Sequence, residues 1–68
     1  MRTKTYDIYI AGSTKIDTVH TTCISKACKT FIERIEKKAS YKVITKEYAT
    51  ITCDDHHGIG SDFVVMEH

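Results

Sequence analysis

The sequence contains no proline and no tryptophan, and its only glycines are Gly12, Gly58 and Gly60. Without proline, no element is broken by ring geometry. Glycine punctuates two places only, so long uninterrupted elements are expected between them. No apolar run approaches the ~18 residues that a membrane span requires, and no membrane association is expected. The opening MRTKTYDIYI has neither a long apolar stretch nor a small-residue cleavage pattern, and does not read as a signal peptide. A cytoplasmic setting is the expectation. The three cysteines are Cys23, Cys28 and Cys53. An odd number without a secretory signal argues against a disulfide framework. Free thiols packed as small hydrophobes are expected instead.

Recognisable chemistry is also sparse. The chain has no glycine-rich phosphate loop, no aromatic pair with flanking basic residues of the kind that stacks RNA bases, and no paired zinc knuckle. At 68 residues a domain buries only about 60% of the surface its unfolded chain exposes. One hydrophobic core fits and a deep cleft does not. A single domain over residues 1–68 is expected, without enzymatic activity and without a cofactor.

What is present is clear periodicity. Thr3 to Ala11 alternates, with Tyr6, Ile8 and Ile10 on one face and Thr5, Asp7 and Tyr9 on the other. This reads as a half-buried strand. A long amphipathic helix is expected from about Asp17 to Ala39. Within it Ile24, Ala27, Cys28, Phe31, Ile32, Ile35 and Ala39 share an arc of about 140° at ~100° per residue. His20 falls inside that arc and is expected to face the sheet. The β-branched Thr18, Val19, Thr21 and Thr22 are weak helix material, so the first turns are expected to fray or form a loop. Lys29 with Glu33 and Glu33 with Lys37 have the spacing of helix-surface ion pairs, and Lys37 and Lys38 suit the negative end of the dipole.

Residues 41–53, YKVITKEYATITC, are β-prone. They form either one long strand or two, about 41–45 and 48–53, with a turn near Lys46 and Glu47. DDHHGIGS, residues 54–61, reads as a hairpin loop, and DFVVM after it as the last strand. The expected fold is α+β, with one amphipathic helix on one face of a three- or four-stranded antiparallel or mixed sheet, in the order β-α-β(β)-β.

Charge is segregated along the chain. Residues 1–46 carry +6 and residues 47–68 carry −5, within a net charge of +1. The acidic loop offers Asp54, Asp55, His56, His57 and the apolar Ile59 as a partner-binding set. The helix offers Lys26, Lys29, Arg34 and Lys37 as an alternative basic face for nucleic acid, diluted by Glu33 and Glu36. Cys53 with His56 or His57 has the donor types zinc prefers, but no second ligand pair is spaced for it, and no metal site is assigned. His20 and Cys23 form the one local thiol–imidazole pairing, and it lacks a third member.

The leading expectation is a protein-binding module that meets its partner through exposed strand edges and the acidic loop. In its small size and lack of motifs the chain resembles the accessory proteins of phages and mobile elements, anti-CRISPR inhibitors among them. That resemblance implies inhibition of a host protein complex and assigns no residues. The alternatives are a nucleic-acid binder using the basic helix face, and a structural domain that homodimerises through a sheet edge.

Overall fold

A computed structural model describes residues 2–10, 14–58 and 60–68. The elements are β1 (Lys4–Ile10), β2 (Lys15–Thr21), α1 (Ile24–Ile35), β3 (Ala39–Thr45), β4 (Tyr48–Cys53) and β5 (Phe63–Glu67). The strands form one sheet in the order β2-β1-β5-β4-β3, and every neighbouring pair is antiparallel. A single helix packs on one face of this antiparallel sheet, which is the expected α+β fold class.

The helix joins the two edge strands. Its 12 residues span about 18 Å at 1.5 Å per residue. Four strand spacings of ~4.8 Å cover nearly the same distance. The helix therefore reaches across the whole sheet. The alternating strands present Tyr6, Ile8, Val19, Ala49, Ile51 and Val65 to it, and α1 returns Ile24, Ala27, Cys28 and Phe31. Phe31 meets Phe63 edge to face, with ring centroids 4.9 Å apart and an interplanar angle of 71°.

One strand is additional to the expected count. Residues 17–21, expected to open the helix, belong instead to β2, which pairs with β1 through Tyr6–Val19 and Asp7–Thr18. The weak helix propensity of Thr18, Val19 and Thr21 is the cause: β-branched residues pack well on a pleated surface. Val19 enters the core in place of a helical residue. His20 consequently lies on the face away from α1, exposed, with its Nδ1 3.2 Å from Thr5 Oγ1. Cys23 is the exposed helix N-cap, whereas Cys28 and Cys53 are the buried thiols expected. Burial pushes the Cys28 thiol up to about 11, so it stays protonated at neutral pH.

The helix also stops earlier than expected. Glu36 adopts a left-handed conformation, φ 54°, and closes it. Lys37 and Lys38 lie beyond the helix, leaving Arg34 as the only basic residue of the last turn, and Ala39 opens β3. Residues 41–53 resolve into two strands around a turn at Lys46 and Glu47. Glu47 N–H donates to Thr45 Oγ1, and an irregularity between Val43 and Thr45 shifts the register.

Candidate partner-binding site at the sheet edge

An open antiparallel sheet has two edges whose outward N–H and C=O groups are templates for another chain. In this molecule the two edges are treated differently. On β2, the Thr18 N–H donates to Asp17 Oδ1 at 2.8 Å. The Thr18 carbonyl accepts from Arg34 Nη1 at 3.2 Å. Arg34 also bridges to Asp17 Oδ2 at 3.0 Å. One strand carboxylate and one helix guanidinium thus occupy both outward groups of the central edge residue. A register shift between Ile8 and Tyr9 further distorts this ladder.

The β3 edge carries no such cover among the described residues. Asp54 N–H donates to the Lys38 carbonyl at 2.9 Å, which fixes the hydrogen-bonding phase of the β3–β4 ladder. Bonded pairs alternate along an antiparallel ladder. Ser40–Thr52 and Lys42–Thr50 are therefore bonded inward, and Ala39, Tyr41 and Val43 turn their N–H and C=O groups outward. The same three residues point their side chains to the helix face, in register with Cys53, Ile51 and Ala49. There, a groove of about 450 Å³ runs between β3 and α1, lined by Ile32, Ala39 and Tyr41 with Lys29, Glu33 and Ser40 at its rim. Val43, Ile44 and Tyr48 add exposed apolar surface at the far end of the hairpin.

The loop residues expected to bind a partner are divided. Asp54, Asp55 and His57 are exposed, and His56 is half-buried. Ile59 lies outside the described residues. His56 Nδ1 is 2.8 Å from Asp62 Oδ1, and Asp62 Oδ2 accepts the Cys53 N–H at 2.7 Å. Asp62 thereby ties both ends of the loop. The Cys53 N–H first, then the His56 hydrogen bond, hold the Asp62 carboxyl below its ordinary value. Burial first, then the Asp62 charge, push the Cys53 thiol upward, which is the opposite of what a nucleophile requires. Among the described residues no three His, Cys, Asp or Glu side chains converge to hold a metal ion. Asp54 and Asp55 share a shallow hollow with Lys37 and Lys38, so the acidic loop sits against the basic end of the helix connection.

The basic helix face is similarly broken up. Lys26 and Lys29 are exposed, but Arg34 is committed to Asp17 and Thr18. Lys37 has left the helix, so its expected spacing to Glu33 no longer applies. Neither the Lys29–Glu33 nor the Glu33–Lys37 pair is among the ion pairs of the described residues.

The open β3 edge was not singled out from the sequence. By sequence, residues 41–45 are a possible strand and Ala39 belongs to the helix. The closure of the opposite edge depends on residues 17 apart in the chain, and no local pattern announces it. Comparison with protein-family models, curated proteins and solved structures finds no match for this chain.

The Asp17–Arg34 cover has a direct test. Replacing both with alanine exposes the Thr18 backbone groups. An exposed pair of this kind contributes only about 0–1 kcal/mol to stability, so the variant should fold. It should self-associate more than the parent, seen as a larger rise in mass with concentration by light scattering. A variant with the parent's mass at every concentration would show that the two side chains are not an edge guard.

Proposed function

We propose that this domain binds another protein by accepting an extended segment of it as an added strand on β3. The observation that carries this reading is the asymmetry of the edges. The molecule's own side chains cover the central residue of one edge, and among the described residues the other lies open beside an apolar groove. Strand addition draws affinity from main-chain hydrogen bonds and specificity from pockets that receive alternate side chains. Ala39, Tyr41 and Val43 supply the first, and the groove at Ile32, Ala39 and Tyr41 supplies the second. Inhibition of a host complex, the role implied by the resemblance to small phage and mobile-element proteins, follows where the captured segment belongs to the partner's working surface. A homodimer through two β3 strands uses the same outward groups and competes with this reading. The basic helix face is a weaker candidate for nucleic acid, because Arg34 is already paired and Lys37 lies beside Asp54 and Asp55.

The test uses short random peptides selected for binding to the intact domain. Selected peptides should perturb the amide resonances of Ala39, Tyr41 and Val43 and give cross-strand contacts to them. Val43→Pro deletes an outward donor without touching the β3–β4 ladder, a substitution that edge strands tolerate. It should weaken binding about tenfold while the rest of the spectrum is retained. Selected peptides that bind elsewhere on the domain, or that bind the proline variant equally, would overturn the assignment. Concentration-dependent dimerisation through these same amides would establish the homodimer instead.

A further inference from the structure

β3 lies within the most basic stretch of the chain. Residues 37–46, KKASYKVITK, hold four lysines and no acid. All four are exposed, and none belongs to an ion pair among the described residues. Lys37 and Lys38 border Asp54 and Asp55 in a shallow hollow, and Glu47 follows Lys46, so these charges are partly offset. Lys42 differs. It lies on the sheet face away from α1, between Ser40 and Ile44 of its own strand. Across the ladder it meets Thr50, with Tyr48 and Thr52 on the same face. No acid stands among these neighbours.

Edge lysines have a plain use, which is to resist pairing with a second copy of the same strand. Two β3 strands side by side would double the lysines without adding a carboxylate, so charge opposes the homodimer. The same lysines attract a strand of opposite sign, and the geometry of β3 defines the chemistry of that strand. Every neighbouring pair in the sheet is antiparallel. An added antiparallel strand exchanges hydrogen bonds with Ala39, Tyr41 and Val43. Residues opposite those three direct their side chains to the helix face. There Ala39 presents only a methyl beside Ile32 and Tyr41, and the groove of about 450 Å³ has room for large apolar side chains. The residue opposite Lys42 falls in a non-hydrogen-bonded pair, the kind in which facing side chains stand closest. Its side chain shares the outer face with the ammonium, where a carboxylate makes a favourable cross-strand pair.

On the basis of strand addition at β3, we propose that the added strand is an acidic segment of another protein. It carries apolar side chains opposite Ala39 and Tyr41, a carboxylate opposite Lys42, and further acids at its ends for Lys38 and Lys46. Nucleic acid fits this edge less well. Its phosphates would find Lys42, but a sugar–phosphate strand has no alternating amide ladder to meet the outward groups of Ala39, Tyr41 and Val43.

The experiment takes peptides selected from a random library on the intact domain and keeps those that perturb the Ala39, Tyr41 and Val43 amides. These should be rich in aspartate and glutamate alternating with aromatic or aliphatic residues. Replacing every acid of such a peptide by its amide should weaken binding about tenfold at low salt. Lys42→Gln should weaken it about threefold and Lys42→Glu about tenfold. Both variants should fold, because Lys42 is exposed on an edge strand. Peptides that reach β3 without an acidic bias, or whose affinity is indifferent to Lys42→Glu, would overturn the acidic occupant and leave strand addition standing. Selected peptides that never reach β3 would overturn both. A single-stranded oligonucleotide of equal charge that binds the β3 amides more tightly than the acidic peptide would overturn it in favour of nucleic acid.

Discussion

Replacing Phe31 with alanine is expected to lower the unfolding free energy by about 3–5 kcal/mol. The side chain is 2% exposed and lies in the helix that spans all five strands. Its ring also contributes the edge-to-face contact with Phe63, a geometry worth about 0.5–1.5 kcal/mol beyond area burial and already contained in the larger figure. A domain of this length has a total stability of roughly 3–10 kcal/mol. The variant should therefore be partly or largely unfolded at room temperature, with loss of the cooperative urea transition followed by circular dichroism. Ile32, half-buried in the lining of the β3 groove, provides the comparison. Its truncation should cost less than half as much, because less surface is removed from water. Equal losses at the two positions would mean that α1 does not concentrate its packing through Phe31.

The residues that make this clamp were legible from periodicity alone. Ile24, Ala27, Cys28 and Phe31 repeat at helical spacing, and all four are buried. Tyr6 and Ile8 alternate at strand spacing, and both enter the core. The turn at Lys46 and Glu47 was one of two readings left open, and it is the one observed. Beyond Ile24 toward the N-terminus the pattern misled. His20 suits a helix arc as well as a strand, and the choice was made by pairing with β1, the strand just before it in the chain. Val19 faces Tyr6 across the β1–β2 ladder, and that pairing outweighs whatever local helical preference the segment has. At the other end the helix closes at Glu36 rather than near Ala39. Ala39 satisfies the helical arc, yet it pairs with Cys53 in the sheet.

The candidate site was less legible for a related reason. An acidic loop is visible in sequence, but whether it is free depends on what folds beside it. Asp62 ties the loop through Cys53 and His56, and Lys37 and Lys38 border Asp54 and Asp55. Edge availability is a property of the whole sheet. It required the strand order, the ladder phase and the long-range Asp17–Arg34 contact together. The exposed Val43, Ile44 and Tyr48 gain meaning only once β3 is known to be the unguarded edge.

Acid should unfold the domain through two carboxylates. Asp7 is 5% exposed although it lies on the sheet face away from α1. It is covered there by His68 Nδ1 at 3.0 Å and Thr18 Oγ1 at 3.3 Å, with Lys15 Nζ at 4.0 Å. The His68 hydrogen bond is the main reason its pKa is lowered, and burial opposes it. Asp62 is lowered by the Cys53 N–H and then by His56. Both carboxyls thus have folded values below their unfolded ones near ~3.9. A depressed carboxyl contributes stability that is fully present above the unfolded value and is lost as pH falls through the folded value. As pH falls below about 4 the unfolded chain binds the protons first, and the urea midpoint should drop with it. The double variant Asp7→Asn with Asp62→Asn keeps the shape and removes both titrations. It should be less stable than the parent at pH 7, and its midpoint should change much less over the acid range. Parallel midpoint–pH profiles for the two proteins would assign the acid sensitivity to other groups. A flat profile in the parent would show that neither contact survives in solution as a charged one.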